Sequence, residues 1–366
     1  MSPTNLVGLL PSELEDLAVE LGASRYRGRQ LATWIYRKNV VDLESMTDLA
    51  KDFKAALSER AVATLPDVER VTPSQDGSRK LVLRLSDGGR VSAVLMPDED
   101  RITLCLSTQV GCGYGCAFCL TGTMGLGRNL TAGEIVGQTM IANRILEEHR
   151  VTHLVYMGMG EPLANYEAVV TSLRILTDAK LGLGYSPRRI TVSTVGLVPG
   201  IRRLAGERLP VSLAVSLHAA NDALRDHLVP VNRRYPLAVL GAACREYTEA
   251  TGRRLSFEWA MIAGVNDRPS DAAELAAIAR PLHAHVNLIP LNPTPGYATR
   301  GTPAAGVRAF RDRLAALGVN ATVRDNRGTN IDAACGQLAA RAGAAPPQLV
   351  SAGATRESPY HVHQRS

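Results

Sequence analysis

Aromatic side chains are scarce in this 366-residue chain: 4% of residues, with four phenylalanines and two tryptophans. Its core must therefore be built from Leu, Val, Ile and Ala, and a hydrophobic content of 45% is enough for a sizeable one. Cysteine is scarce too. Six in so long a chain exclude a disulfide-stapled secreted scaffold, and three of them are clustered like metal ligands, as in a reducing compartment. No apolar run reaches about 18 residues, so no membrane-spanning helix is expected. The N-terminus lacks a basic stretch followed by an apolar one, so no secretory signal is expected. No internal repeat is detectable. The expectation is a cytoplasmic, monomeric chain with no membrane partner and about two domains, at roughly 150 residues each. A net charge of +6 and a pI of 9.1 lean towards a polyanionic partner such as nucleic acid.

The chain is organised around Thr103 to Gly127, TLCLSTQVGCGYGCAFCLTGTMGLG. Cys112, Cys116 and Cys119 sit there in a C-x3-C-x-Phe-C spacing, on a loop with Gly111, Gly113 and Gly115. The apolar run Ile102 to Leu106 reads as a buried strand, and a helix is expected to start near Thr131. The cysteines thus lie on a loop at the carboxyl end of a strand, where α/β folds place their chemistry. Soft sulfur ligands select iron–sulfur clusters, zinc or copper(I). The next cysteine downstream is Cys244, and the nearest histidine is His149. A four-iron cluster on three cysteines keeps one iron open. The competing reading is a zinc site with a distant fourth ligand, which would make the chain a zinc-stabilised RNA-binding protein without catalysis.

The run Cys112-Gly-Tyr-Gly-Cys116-Ala-Phe118-Cys119 resembles the signature of radical S-adenosylmethionine (SAM) enzymes. More narrowly, TLCLSTQVGC with Cys105 and IDAACGQLA with Cys335 resemble the RlmN/Cfr family of radical SAM RNA methyltransferases. The resemblance runs from about Leu10 to about Leu338. It implies a partial (β/α)6 barrel, a [4Fe-4S] cluster on Cys112, Cys116 and Cys119, and SAM. It also implies 23S rRNA and tRNA as substrates and an electron donor such as flavodoxin or ferredoxin.

Residues 1–65 read as a helical accessory domain. Ser12 with Glu15 forms an expected capping box for the first helix, which stops at Gly22. RGRQLATWIYRK forms the second helix, and Met46 to Ala61 the third. Arg25, Arg27, Arg29, Arg37 and Lys38 form a solvated basic face or a phosphate contact, and the resemblance favours RNA. Residues 66–101 read as a β-hairpin extension: SRKLVLRLS alternates, and Asp87-Gly88-Gly89 turns the chain into RVSAVLM. From 102 to 343 strands and helices alternate, about six βα units that predict a parallel sheet with its sites at one rim. The tail 344–366 is polar and expected to be disordered.

Several expected strand ends carry polar residues. Gly160 and Glu161 look like a turn that, by the resemblance, receives the amino group of SAM. Ser193, Ser216, Leu217, His218 and Asn292 match SAM-contacting positions. Each serine or asparagine alone would more simply cap a turn, and His218 alone would be a core histidine. His283 and His285 read as structural, and Cys244 as a small buried hydrophobe.

The resemblance assigns Cys335 as the methyl carrier and Cys105 as its resolving thiol. Cys335 takes a methyl group from one SAM, and a radical from a second SAM abstracts hydrogen from it. The resulting carbon radical joins carbon 2 of adenine; a base removes the ring proton. Cys105 then attacks the sulfur of Cys335, leaving a transient disulfide and free product. Nearby cations such as Arg324 and Arg327 are expected to lower the thiol pKa of Cys335. The Cfr branch methylates carbon 8 instead. Where the family carries a glutamate in the hairpin's second strand, this chain has Ser92, with Asp98, Glu99 and Asp100 nearby; the proton acceptor is left unassigned.

Overall fold

The computed structural model describes residues 3–292, 297 and 299–338; the tail 344–366 lies outside them. The chain begins with β1 (Thr4–Asn5), paired in parallel with β2 (Ala61–Val62). Between them lie α1 (Pro11–Glu20), α2 (Arg25–Ala32) and α3 (Lys51–Arg60). The first helix opens two residues earlier than the Ser12 capping box predicts. Pro11 takes the first helical position, where its missing N–H costs nothing. The carboxylate of Glu13, not Glu15, accepts the Leu10 N–H at 2.6 Å. The second helix loosens into a π-helical turn, Thr33–Arg37. The third starts at Lys51, not Met46: the Asp48 carbonyl accepts side-chain bonds from Arg27 and Gln30 and is not free to begin a helix. Met46 and Leu49 still reach the core from the preceding loop.

Next comes a three-stranded antiparallel meander, β3 (Asp67–Pro73), β4 (Arg79–Arg84) and β5 (Arg90–Asp98). The expected alternation in β4 fails, because Lys80 to Leu83 are all buried, with Lys80 8% exposed. A buried lysine needs a partner, and Lys80 has one in the Cys335 loop described below.

The meander runs into β6 (Arg101–Cys105). Then follow the ribbon strands β7 (Gln109–Cys112) and β8 (Gly125–Asn129), with α4 (Leu120–Thr123) at their tip. The barrel continues through α5 (Ala132–Leu146), β9 (His153–Tyr156), α6 (Tyr166–Thr177), β10 (Ile190–Thr194), α7 (Val198–Gly206) and β11 (Ser212–Ser216). After α8 (Asp222–Leu228) and α9 (Leu237–Thr251) come β12 (Leu255–Met261), α10 (Pro269–Ala279), β13 (His285–Pro290), α11 (Ala304–Ala316) and β14 (Ala321–Val323).

One sheet of ten strands runs β14-β13-β12-β11-β10-β9-β6-β5-β4-β3. From β14 to β6 it is parallel, with β6, β9, β10, β11, β12 and β13 each followed by a crossover helix. Six βα units plus one edge strand make the partial barrel. Helices cover the strands, so Leu213, Ala214 and Val215 are all buried, as parallel strands require. The α5 capping box is made by Thr131 and Glu134, with bonds of 3.1 and 2.8 Å.

The N-terminal helices dock on α5. Asn39 Nδ2 donates to the Met140 carbonyl at 2.9 Å, and Arg144 returns a 2.7 Å bond to the Asn39 carbonyl. Backbones touch at Gly133, where a Cβ would lie 2.0 Å from the Val7 carbonyl oxygen. Gly133→Ala should therefore force the two units apart and destabilise the protein by about 1–3 kcal/mol. Denaturant unfolding measures this; an unchanged midpoint would contradict so close a docking.

Candidate active site

The carboxyl ends of β9 to β13 surround one cavity, and the cysteine ribbon closes it. Cys112, Cys116, Cys119, Gly160, Glu161, Ser193, Ser216, His218, Asn292 and Cys335 all line it. Of the residues singled out in the sequence, Leu217 and Cys105 do not. The Leu217 side chain sits in the core, 1% exposed, so only its backbone serves the rim. Cys105 is buried at the carboxyl end of β6. Neither of the histidines left as structural, His283 and His285, lines it, and Cys244 is fully buried on α9.

Gly160 has a φ of +100°, and a Cβ there would meet Gln109 at 2.5 Å. Only glycine lets this turn press against the ribbon. Its neighbour Glu161 is 2% exposed; its carboxylate accepts N–H bonds from Leu163 at 3.0 Å and Val195 at 2.8 Å. Burial raises its pKa to about 7 despite these bonds. His218 stands in the left-handed region at φ +59°. Its Nδ1 accepts the Ala260 N–H at 2.9 Å, so the neutral ring carries its proton on Nε2. Burial and Arg225 push its pKa down to about 3, and Phe118 of the cysteine motif packs edge-on at 4.6 Å.

Two functional side chains escaped the sequence reading. Arg225 is fully buried and ties the rim together. It donates to the carbonyls of Leu217, Val195 and Ser216 and to Asn232 Oδ1, at 2.8–3.1 Å. Glu258 on β12 is a buried carboxylate on the cavity wall, opposite Ser216 in register. Asn287 and Ser256 both donate to its Oε1, at 2.8 and 3.1 Å. For Glu258 the available signal was a charged residue inside an apolar strand; Arg225, on the polar helix α8, offered none. Ser92, by contrast, is buried in β5 away from the cavity lining, and its carbonyl accepts the Ser107 hydroxyl.

The loop carrying Cys335 is held from two sides. From the meander, Asp76 accepts the Gly328 N–H at 2.7 Å and Lys80 donates to the Asp332 carbonyl at 2.8 Å. Arg327 bonds the Pro97 carbonyl and pairs with Asp98, so it is turned away from Cys335. From the cysteine ribbon, the Leu120 N–H reaches the Gly336 carbonyl at 2.8 Å and Thr121 reaches that of Leu338 at 2.6 Å. Asn292 Nδ2 donates to the Cys335 carbonyl itself. Lys80→Met and Asp76→Ala should each loosen the loop by about 1–3 kcal/mol. Hydrogen–deuterium exchange over residues 324–338 reads this directly, and unchanged protection in both variants would contradict it.

Cys335 is open to solvent through the cavity although it lies deep in the molecule. Its expected low pKa is not found. Burial raises it, the Glu258 charge raises it further, and Arg324 only partly offsets them. Cys105 is raised by burial and then by Cys335, so the two thiols stand within electrostatic reach of each other. All six cysteines are free thiols.

The three ribbon thiols fit an iron–sulfur cluster better than one ion. They line a shared cavity, yet among the described residues no three His, Cys, Asp or Glu gather as a single metal ion needs. Zinc would pull its thiolates to about 2.3 Å from one centre, whereas each cysteine of a cluster binds its own iron. Burial, then neighbouring charge, holds Cys112 up at about 11 and raises Cys116 as well. Metal must displace those protons to bind.

A parallel partial barrel with three such cysteines on the loop after its first strand defines a radical SAM protein, and the pattern of the Radical SAM superfamily matches residues 106–276. That of the ribosomal RNA large subunit methyltransferase N-terminal domain matches residues 4–63. A probable dual-specificity RNA methyltransferase RlmN of Moorella thermoacetica is 51% identical over 91% of this chain and 96% of its own. The dual-specificity RNA methyltransferase RlmN of Anaeromyxobacter dehalogenans is 48% identical over 96% of each. A crystal structure of a radical SAM methyltransferase from Sphaerobacter thermophilus superposes with a TM-score of 0.89 at 49% identity, over 93% of this chain and all of that one. The chain belongs to the dual-specificity RNA methyltransferase RlmN family.

Among the described residues no helix is long and apolar enough to cross a membrane.

Proposed function

We propose that this chain methylates carbon 2 of adenosine in 23S rRNA and tRNA, with Cys335 as methyl carrier and Cys105 as resolving thiol. The observation that carries this is the Cys335 loop: it is pinned to the cysteine ribbon at Gly336 and opens Cys335 into the cavity that the three ribbon cysteines line. Cys112, Cys116 and Cys119 hold the cluster. Glu161 in the Gly160 turn takes the ammonium of SAM; Ser193, Ser216, His218, the Leu217 backbone and Asn292 orient the rest. When bound and reduced by a flavodoxin or ferredoxin, the cluster would supply the one-electron chemistry through which SAM can activate an S-methyl group. Cys335 keeps that group in place, so carbon reaches the base from a tethered sulfur and not by diffusion. Cys105 attacks the Cys335 sulfur, breaking its bond to the product carbon and leaving a Cys105–Cys335 disulfide that a reductant opens before the next turnover.

Glu258 supplies the carboxylate that Ser92 lacks. Its Oε1 is held, and burial raises its pKa towards that of a useful base. Glu258→Gln should allow methylation of Cys335 but stall the ring proton, cutting product about 100-fold or more; unchanged turnover removes Glu258 from this role.

RNA contact is assigned in part to the N-terminal helices. Arg25 and Arg29 pair with Glu15 and Asp16, so that face carries less free positive charge than its composition suggests. The first half-reaction tests the central assignment. Peptide mass spectrometry after incubation with SAM should find one methyl group on Cys335; a methyl group elsewhere, or none, would sink it.

A further inference from the structure

The opposite end of the barrel holds a second cavity, of about 700 Å³. It lies where α9, α10 and α11 return to the amino ends of β12, β13 and β14. Seven residues of β12 separate this end from the catalytic rim, about 20 Å at roughly 3.3 Å each. The cavity therefore cannot share the cluster or SAM. Its lining includes Arg245, Arg253, Arg254 and Arg280, with Glu249 as its one carboxylate.

Two observations set these arginines apart. Among the described residues, none of the four pairs with a carboxylate, although Arg202 beside them takes Glu246 at 2.7 Å. In addition, the Nε of Arg253 is buried with no hydrogen-bond partner, while its Nη2 is held by Ser212 Oγ at 2.9 Å. A charged donor left without an acceptor costs free energy, and an anion in the cavity toward which the half-buried guanidinium turns removes that cost. Guanidinium forks match phosphate oxygens in pairs.

We propose that this cavity is a phosphate-binding site, separate from the active site, that takes either a backbone phosphate of RNA or the phosphoryl group of a free small molecule. The RNA source rests on the proposed function; phosphate binding itself does not.

Calorimetric titration of full-length, cluster-loaded protein with inorganic pyrophosphate tests the site. Arg245, Arg254 and Arg280 are exposed, so their joint replacement by alanine leaves the fold intact. Wild type should bind pyrophosphate, and the triple variant at least about tenfold more weakly, the loss of charged hydrogen bonds. Arg253→Lys, which keeps the charge but not the fork, should also weaken it. Equal affinity in wild type and triple variant, or no binding to wild type, overturns the proposal. Salt titration of tRNA binding then separates the two sources. A slope of log affinity against log salt reduced by about 2–3 in the triple variant assigns the phosphates to RNA, at about 0.9 per contact. An unchanged slope beside lost pyrophosphate binding assigns them to a free phosphorylated molecule.

Discussion

Cys105→Ala is expected to accumulate RNA bound covalently to Cys335, while Cys335→Ala forms neither product nor adduct. The two thiols occupy different positions, and this predicts different failures. Cys335 is open to the cavity, on a loop fastened by Asn292, Leu120 and Thr121, so it is placed to receive a methyl group and present it to a base. Cys105 is buried in β6 outside the cavity lining, its pKa raised by burial and by Cys335, so it is shielded from competing methylation. Removing Cys335 deletes the carrier, and product should fall at least about a thousandfold. Removing Cys105 leaves carrier and addition intact but deletes the only attack that frees the sulfur. The adduct should appear on a denaturing gel as a shifted band that nuclease removes. If neither variant traps RNA, or both do, the carrier and resolving roles are wrong.

Replacing any one of Cys112, Cys116 and Cys119 by alanine should abolish the cluster and reductive cleavage of SAM together. Among the described residues no fourth thiol or imidazole joins them on the cavity wall except Cys335 and His218. Cys335 is proposed as the methyl carrier, on a loop held by Asn292 and Lys80 as well as by the ribbon, and the Nδ1 of His218 is occupied by Ala260. Three ligands without a spare cannot lose one and keep a four-iron cube closed. Iron content and visible absorbance of the anaerobically purified variants measure this. A Cys119→Ala protein with full iron and normal SAM cleavage would show that these cysteines are not the ligand set.

Much of the site was legible because it is local. The cysteine spacing, the Gly160–Glu161 turn and Ser216 to His218 are short stretches whose residue types carry their own chemistry, and the fold brings them to one rim. The six βα units were legible for the same reason, each strand being an apolar run. Long-range contacts were not legible. Nothing near Lys80 in sequence announces that it is buried against Asp332, or that Asp76 caps Gly328, because both partners lie some 250 residues away. Arg225 and Glu258 were hidden likewise: Arg225 sits among other ionic residues on α8 and Glu258 alone in an apolar strand, and each has meaning only once its partners are known. The cysteine loop was read as a loop alone, whereas β7 and β8 pair across it and make it the tip of a ribbon. The N-terminal helix boundaries shifted where Pro11 and the Asp48 carbonyl overrode the side-chain pattern.

The most direct test of the proposed activity is mass spectrometry of nucleosides from 23S rRNA fragments and tRNA incubated with the reduced, cluster-loaded enzyme and SAM. The account predicts 2-methyladenosine in both RNAs, absent when Cys335→Ala replaces the enzyme. Adenosine methylated at carbon 8, or unmodified RNA from an enzyme that still cleaves SAM, would contradict it.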